Sequence, residues 1–114
     1  MNVEQLRQFC LAMPGATEDV KWGNDLCFSV GTKMFCVTGV DSVGDGISFK
    51  CTPEKFGELT ERDGINPAAY VARYHWVSVE KADAVTPHEL KDLIGNSYKL
   101  VLQKLPKKIR EKIA

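Results

Sequence analysis

Between residues 26 and 51 the sequence offers three strand-forming runs joined by links too short for anything but an antiparallel return. Leu26-Cys27-Phe28-Ser29-Val30 and Lys33-Met34-Phe35-Cys36-Val37-Thr38 flank Gly31-Thr32, a two-residue link whose leading glycine suits a tight hairpin turn. Residues 41–46 read as the next turn, and Ile47-Ser48-Phe49-Lys50-Cys51 alternates apolar and polar side chains as a half-buried strand does. A parallel crossover needs roughly a dozen residues or more, so these runs form an antiparallel meander. Residues 17–22 are expected to add a short first strand, and Tyr74-His75-Trp76-Val77-Ser78-Val79 a later one.

Helical spacing brackets the strands. Val3, Leu6, Phe9, Cys10 and Met13 share one face of an opening helix, with Asn2 and Gln5 placed as a capping box and Pro14-Gly15 as the stop. Thr52 and Pro53 start a short helix that turns Phe56 and Leu59 inward. Thr86-Pro87-His88-Glu89 starts the last one, whose apolar face runs through Leu90, Leu93, Ile94, Ser97, Tyr98, Val101, Leu102 and Leu105. Pro106 interrupts it, and residues 107–114 are expected to form one or two further basic turns. Residues 63–67 read as a loop, and residues 68–73 fit either a helical turn or extended chain. The order of elements predicts an α+β domain over residues 1–114, with helices packed on one face of an antiparallel sheet.

Composition narrows the class. At 114 residues, 44% hydrophobic and 26% charged, the chain suits one folded domain and is neither disordered, collagen-like nor supercharged. No apolar run approaches the roughly 20 residues needed to span a bilayer, and Met1-Asn2-Val3-Glu4-Gln5 lacks the basic-then-apolar pattern of a secretory signal. A cytoplasmic protein with no membrane contact is expected.

Catalytic and metal patterns are missing. Cys10, Cys27, Cys36 and Cys51 stand singly, without the close Cys or His partners of a zinc site, and read as buried thiols; Cys27 and Cys36 are placed to face one another across the hairpin. No Gly-x-Ser-x-Gly elbow or phosphate-binding glycine loop occurs. His88 falls in a helix cap, and His75, between Tyr74 and Trp76 on an expected strand, reads as a structural or surface donor before a general base. The carboxylate pairs Glu18-Asp19 and Glu61-Asp63 follow no catalytic spacing. The expectation is a non-enzyme with no metal and no cofactor.

The neutral total hides a polarised chain. Residues 1–98 hold nine basic and 14 acidic groups, a balance of −5, while residues 99–114 hold six basic groups against Glu111, a balance of +5. Some of that cation excess suits a helix C-terminus, but six cations exceed what one helix end requires, and such asymmetry also marks a nucleic-acid contact.

Several blocks then resemble one family. Met13-Pro14-Gly15-Ala16-Thr17-Glu18 is similar to the "LPGxxE" of the MmcQ/YjbR family, and Gly31-Thr32-Lys33-Met34-Phe35 to its "GGKMF". Residues 47–54 resemble its "lxlKcxPe" segment, residues 73–79 its histidine–tryptophan strand, and residues 92–108 its "lixxSYxlVxxkLpkk" ending. The blocks keep their order over nearly the whole chain. Met13 replaces the family's leucine, and Asn66-Pro67-Ala68-Ala69 replaces a variable loop. The resemblance implies a CyaY-like, frataxin-like α+β fold and the family's label of a "double wing" DNA-binding protein.

Weakly sequence-specific DNA binding is therefore the leading expectation. Its candidate residues are Lys33, Lys50 and Arg73 from the strand region, His75 and Trp76 beside them, and Lys99, Lys104, Lys107, Lys108 and Arg110 from the C-terminal segment. The simpler reading makes Trp76 a packing aromatic and the terminal lysines a solvated face. The alternative is a protein-interaction module in which Trp22, Tyr70 and Trp76 form an aromatic patch on an open sheet face. Iron binding of the frataxin type needs an acidic ridge that Glu4, Glu18 and Asp19 do not supply. A monomer or weak dimer is expected.

Overall fold

The computed structural model describes residues 1–43 and 46–113. Gly44 and Asp45, inside the expected 41–46 turn, and Ala114 lie outside the described residues. Local signals become structure where the sequence places them. Asn2 accepts from the Gln5 amide and the Gln5 side chain accepts from the Asn2 amide, so a complete capping box opens α1 (Val3–Leu11). Thr52 and Thr86 each accept from the amide three residues on, and a first-turn proline follows each in α2 (Pro53–Thr60) and α3 (Pro87–Gln103). Pro106 separates α3 from α4 (Lys107–Ile113).

Among the described residues six strands form one antiparallel sheet: β1 (Ala16–Lys21), β2 (Asp25–Val30), β3 (Lys33–Gly39), β4 (Ile47–Lys50), β5 (Ile65–Pro67) and β6 (Trp76–Val79). Their order is β1-β2-β3-β4-β6-β5, so the meander β1 to β4 is extended by β6, and β5 closes the far edge. Gly31 and Thr32 both adopt positive φ, at 54° and 74°, as the right-handed strand twist demands of a two-residue hairpin link.

Register assigns the two faces. Leu26, Phe28, Cys36, Thr38, Phe49 and Val77 face the helices, and with Phe35, Leu6, Leu59 and Ile94 they build the core. Phe28, Phe35 and Phe49 are wholly buried, each contributing about 2–3 kcal/mol of burial. Ser97 of α3 is buried among them; its hydroxyl donates to the Phe35 carbonyl at 2.6 Å and accepts from the Lys50 amide at 2.9 Å, fixing α3 to β3 and β4. On the opposite face a row of Val37, Ser48, Ser78 and Asn66 crosses four strands uncovered by helix.

Three expectations are corrected. Residues 63–67 are not wholly loop: Ile65–Pro67 pairs with β6, Ile65 opposite Val79. The strand expected from Tyr74 begins at Trp76, because Ala72–Tyr74 winds one 3-10 turn and His75 takes φ 65°, outside strand geometry. Cys27 pairs with Val37 and Cys36 with Phe28, so the two thiols lie on opposite faces; the Cys36 thiol instead meets Cys10 of α1, and that contact and burial push it well above the ordinary thiol range. All four cysteines are free and buried.

Candidate nucleic-acid interface

The β2–β3 turn, the end of β4 and the start of β6 meet at one end of the sheet, since Lys50 pairs with Trp76 and Val30 with Lys33. Lys33 is exposed there and Lys50 is half-buried. The Ser97 bonds place the last turns of α3 over the same end, so that Lys99 and Lys104 project beyond the strands. Gly31 lies against α4 as well: a Cβ on it would come within 2.6 Å of the Leu105 side chain and 3.0 Å of that of Ile109, so a larger residue would have to displace those side-chain ends as well as adopt φ 54°. Lys107, Lys108 and Arg110, all exposed, therefore share the end with Lys33.

Arg73, in the 3-10 turn, lies 4.8 Å over the Tyr74 ring. The Tyr74 carbonyl accepts from the Lys50 ammonium at 3.0 Å, which brings Arg73 to the same corner. Lys50 is held below the ordinary lysine range, first by partial burial and then by the like charge of Lys104. Neither Lys50 nor Lys104 forms an ion pair among the described residues. Between the start of α2 and the end of α3 a cleft of about 490 Å³ opens, lined by Thr52, Lys55, Asn96, Lys99 and Gln103. Lys55, Asn96 and Gln103 were not singled out from sequence; the Thr52-Pro53 cap, which puts Lys55 in the first turn of α2, is the signal that points to the first of them.

His75 and Trp76 stand differently. The His75 ring packs edge-on against Phe56 at 5.7 Å, and its carbonyl accepts from the Cys51 amide and thiol at 2.9 and 3.3 Å. Burial pushes that thiol up to about 11, so at neutral pH it is a protonated donor. Trp76 is 8% exposed and borders the open sheet face, which leaves little ring for a base to stack on. Tyr74, at 49%, is the exposed aromatic of this corner.

The other end of the strands is richer in carboxylates, with Lys21 and Lys81 among them. Asp25, Asp41, Asp63, Glu80 and Asp83 gather at or just beyond the strand ends there. Among the described residues no group of three or more His, Cys, Asp or Glu is arranged to hold a metal ion, and no helix is long and apolar enough to cross a membrane.

The class these features define is an α+β domain with an open six-stranded antiparallel sheet, helices on one face and cations concentrated at one strand end. The YjbR family model matches residues 11–100, and the chain belongs to that family. It is similar to the uncharacterized protein YjbR of Escherichia coli (strain K12), 24% identical over 97% of this chain and 96% of that one. The uncharacterized protein YbdF of Escherichia coli O157:H7 is 27% identical over 75% of this chain and 71% of its own length. A solved structure from Deinococcus radiodurans, of the domain family DUF419, superposes with a TM-score of 0.85 at 28% identity, covering 97% of this chain and 86% of that one. A Pseudomonas syringae protein shares the fold at a TM-score of 0.72 and 23% identity, over 89% and 99% of the two chains. Lys104 and α4 lie beyond the matched residues 11–100.

Proposed function

We propose that this protein binds nucleic acid, with little sequence preference, through the basic end of its sheet. The observation that carries the reading is the convergence of Lys50 and Lys104, neither of which has an ion-pair partner among the described residues; partial burial first, and then the like charge of Lys104, hold Lys50 below the ordinary lysine range. A phosphate between them removes that repulsion, and Lys33, Lys99, Arg73 and the cations of α4 extend the same surface. Binding of this kind rests on counterion release from phosphates and reads backbone in place of base edges. Lys50, Lys99, Lys104, Lys107, Lys108 and Arg110 are the positioning contacts, and Tyr74 is the side chain available to stack on an unpaired base.

Fluorescence anisotropy with labelled duplex and single-stranded oligonucleotides across a salt series tests the reading. Affinity is expected to fall linearly in log salt. In a Lys104→Glu, Lys107→Glu, Lys108→Glu variant the slope should be shallower by about 0.9 for each phosphate no longer neutralised. No binding at low salt overturns the proposal.

A second reading, a protein-interaction module, is favoured by one observation. The open sheet face carries a groove of about 780 Å³ bordered by Trp22 and Tyr70, which are 72% and 99% exposed. Large exposed aromatics beside a concave face are the usual anchors of an interface.

A further inference from the structure

The open-face groove has a chemistry of its own. Its floor is a row of small side chains, with Ser48 opposite Ser78 and Val37 beside them, so the middle of the face is hollow. Trp22 and Met34 line it from the β1–β3 side and the exposed Tyr70 from the β5–β6 side, with the largely buried Trp76 also in its lining. The charged residues lining it are Asp25 and Glu80, and no cation lines it among the described residues. Asp25 forms no ion pair among the described residues, and Glu80 spends one carboxylate oxygen on the Asn66 amide at 3.0 Å. Lys50, although opposite Trp76 in register, turns its ammonium away to the Tyr74 carbonyl.

The two exposed rings are also held in an unfavourable backbone. Trp22 has φ 54° and Tyr70 φ 68°, in the left-handed region that non-glycine residues seldom adopt. Neither ring recovers that cost by burial in the free chain, since both remain mostly in water. Lys21 is the cross-strand partner of Asp25 but neither lines the groove nor forms an ion pair among the described residues. An aromatic wall with lining carboxylates and no lining cation is complementary to a positive charge on a flexible apolar stem: the ring faces attract the cation and the carboxylates neutralise it.

Resting on the second reading above, we infer that the groove docks a lysine- or arginine-bearing extended peptide segment of a partner protein, with the cationic side chain laid between the aromatic walls and its charge directed to Asp25 and Glu80. The charge complementarity selects this occupant over an acidic or a purely apolar one.

Two-dimensional amide and indole NMR of the full chain tests the inference, with acetylated and amidated tetralysine, tetraglutamate and tetraserine as probes. Tetralysine is expected to shift the Trp22 and Trp76 indole signals and the Ser48 and Ser78 amides. Trp22→Gly, which suits the local φ, and an Asp25→Asn, Glu80→Gln pair should each weaken binding about fivefold or more. Trp22→Gly leaves the net charge unchanged, so its effect separates groove binding from general attraction to the acidic strand end. Equal shifts from tetraglutamate or tetraserine at the same signals overturn the cationic preference while leaving open-face docking in place. Absence of shifts from any peptide overturns both, as do tetralysine shifts that avoid the groove. Concentration-dependent shifts of the groove signals without peptide name a second copy of this chain as the occupant and overturn the inference.

Discussion

Ser97 joins three elements through one hydroxyl: it sits wholly buried in α3, donates to the β3 carbonyl of Phe35 and accepts from the β4 amide of Lys50. Ser97→Ala strands both backbone groups away from water and is expected to cost about 1–3 kcal/mol, read as a lower urea midpoint with an unchanged slope. Thr32 works in the other direction. It holds φ 74° in the hairpin turn, a conformation costly for a β-branched residue. Thr32→Gly is expected to raise stability by up to about 1 kcal/mol, measured in the same titration; a loss would mean that the hydroxyl or methyl contributes more than the strain removes. Sequence shows the glycine of this link and the helical position of Ser97, but not the bonding of Ser97. A serine on an apolar helix face reads as a tolerated polar residue until strands distant in sequence supply its partners. His75 was illegible for a related reason: its run of β-formers reads as strand, and only the 3-10 turn before it forces the left-handed corner.

Elements with strong local punctuation were the legible ones. The capping box of α1, the Thr-Pro starts of α2 and α3 and the Gly-led hairpin appear where the sequence puts them. β5 has no local signature because it is three residues long and ends in Pro67, so its pairing with β6 comes from tertiary context rather than from propensity. What ties the segment before β5 to α3 is Arg62, whose guanidinium donates to both Glu89 oxygens at 2.8 and 3.0 Å and to Glu58 at 3.1 Å. These bonds hold the Glu89 carboxyl below its ordinary value of 4.5, chiefly through hydrogen bonding from Arg62. A carboxyl with a depressed folded-state pKa adds stability above its unfolded value and loses it as pH falls through the folded one. Glu89→Gln is therefore expected to cost about 0.5–1 kcal/mol at neutral pH, with the gap to the parent closing as pH drops below 4.5. Thermal unfolding of the two proteins across that range measures it; a gap that persists at low pH would assign the loss to packing and not to charge.

At the scale of the whole molecule, folding turns a charge asymmetry along the chain into one along the strands. The C-terminal excess was legible by counting, but Lys33 and Lys50 lie far upstream of it in the chain, and only the sheet and the Ser97 bridge bring them to one end. Asp25, Asp41, Asp63, Glu80 and Asp83 lie at the other end of strands up to seven residues long, roughly 23 Å at about 3.3 Å per residue. Charges that far from a phosphate act through solvent, and salt screens them over about 8 Å at 0.15 M but over about 30 Å at 0.01 M. If nucleic acid meets the basic end, neutralising the remote acids should change affinity only where screening is weak. An Asp41→Asn, Asp83→Asn variant is expected to bind oligonucleotide up to about twofold more tightly at 0.01 M salt and indistinguishably at 0.15 M. Lysine-to-glutamate changes at residues 104, 107 and 108 should instead lower affinity across the whole series and flatten its salt slope. Equal slope changes from the two sets of substitutions would mean that the duplex lies along the molecule and touches both ends, which rejects an interface confined to the basic end.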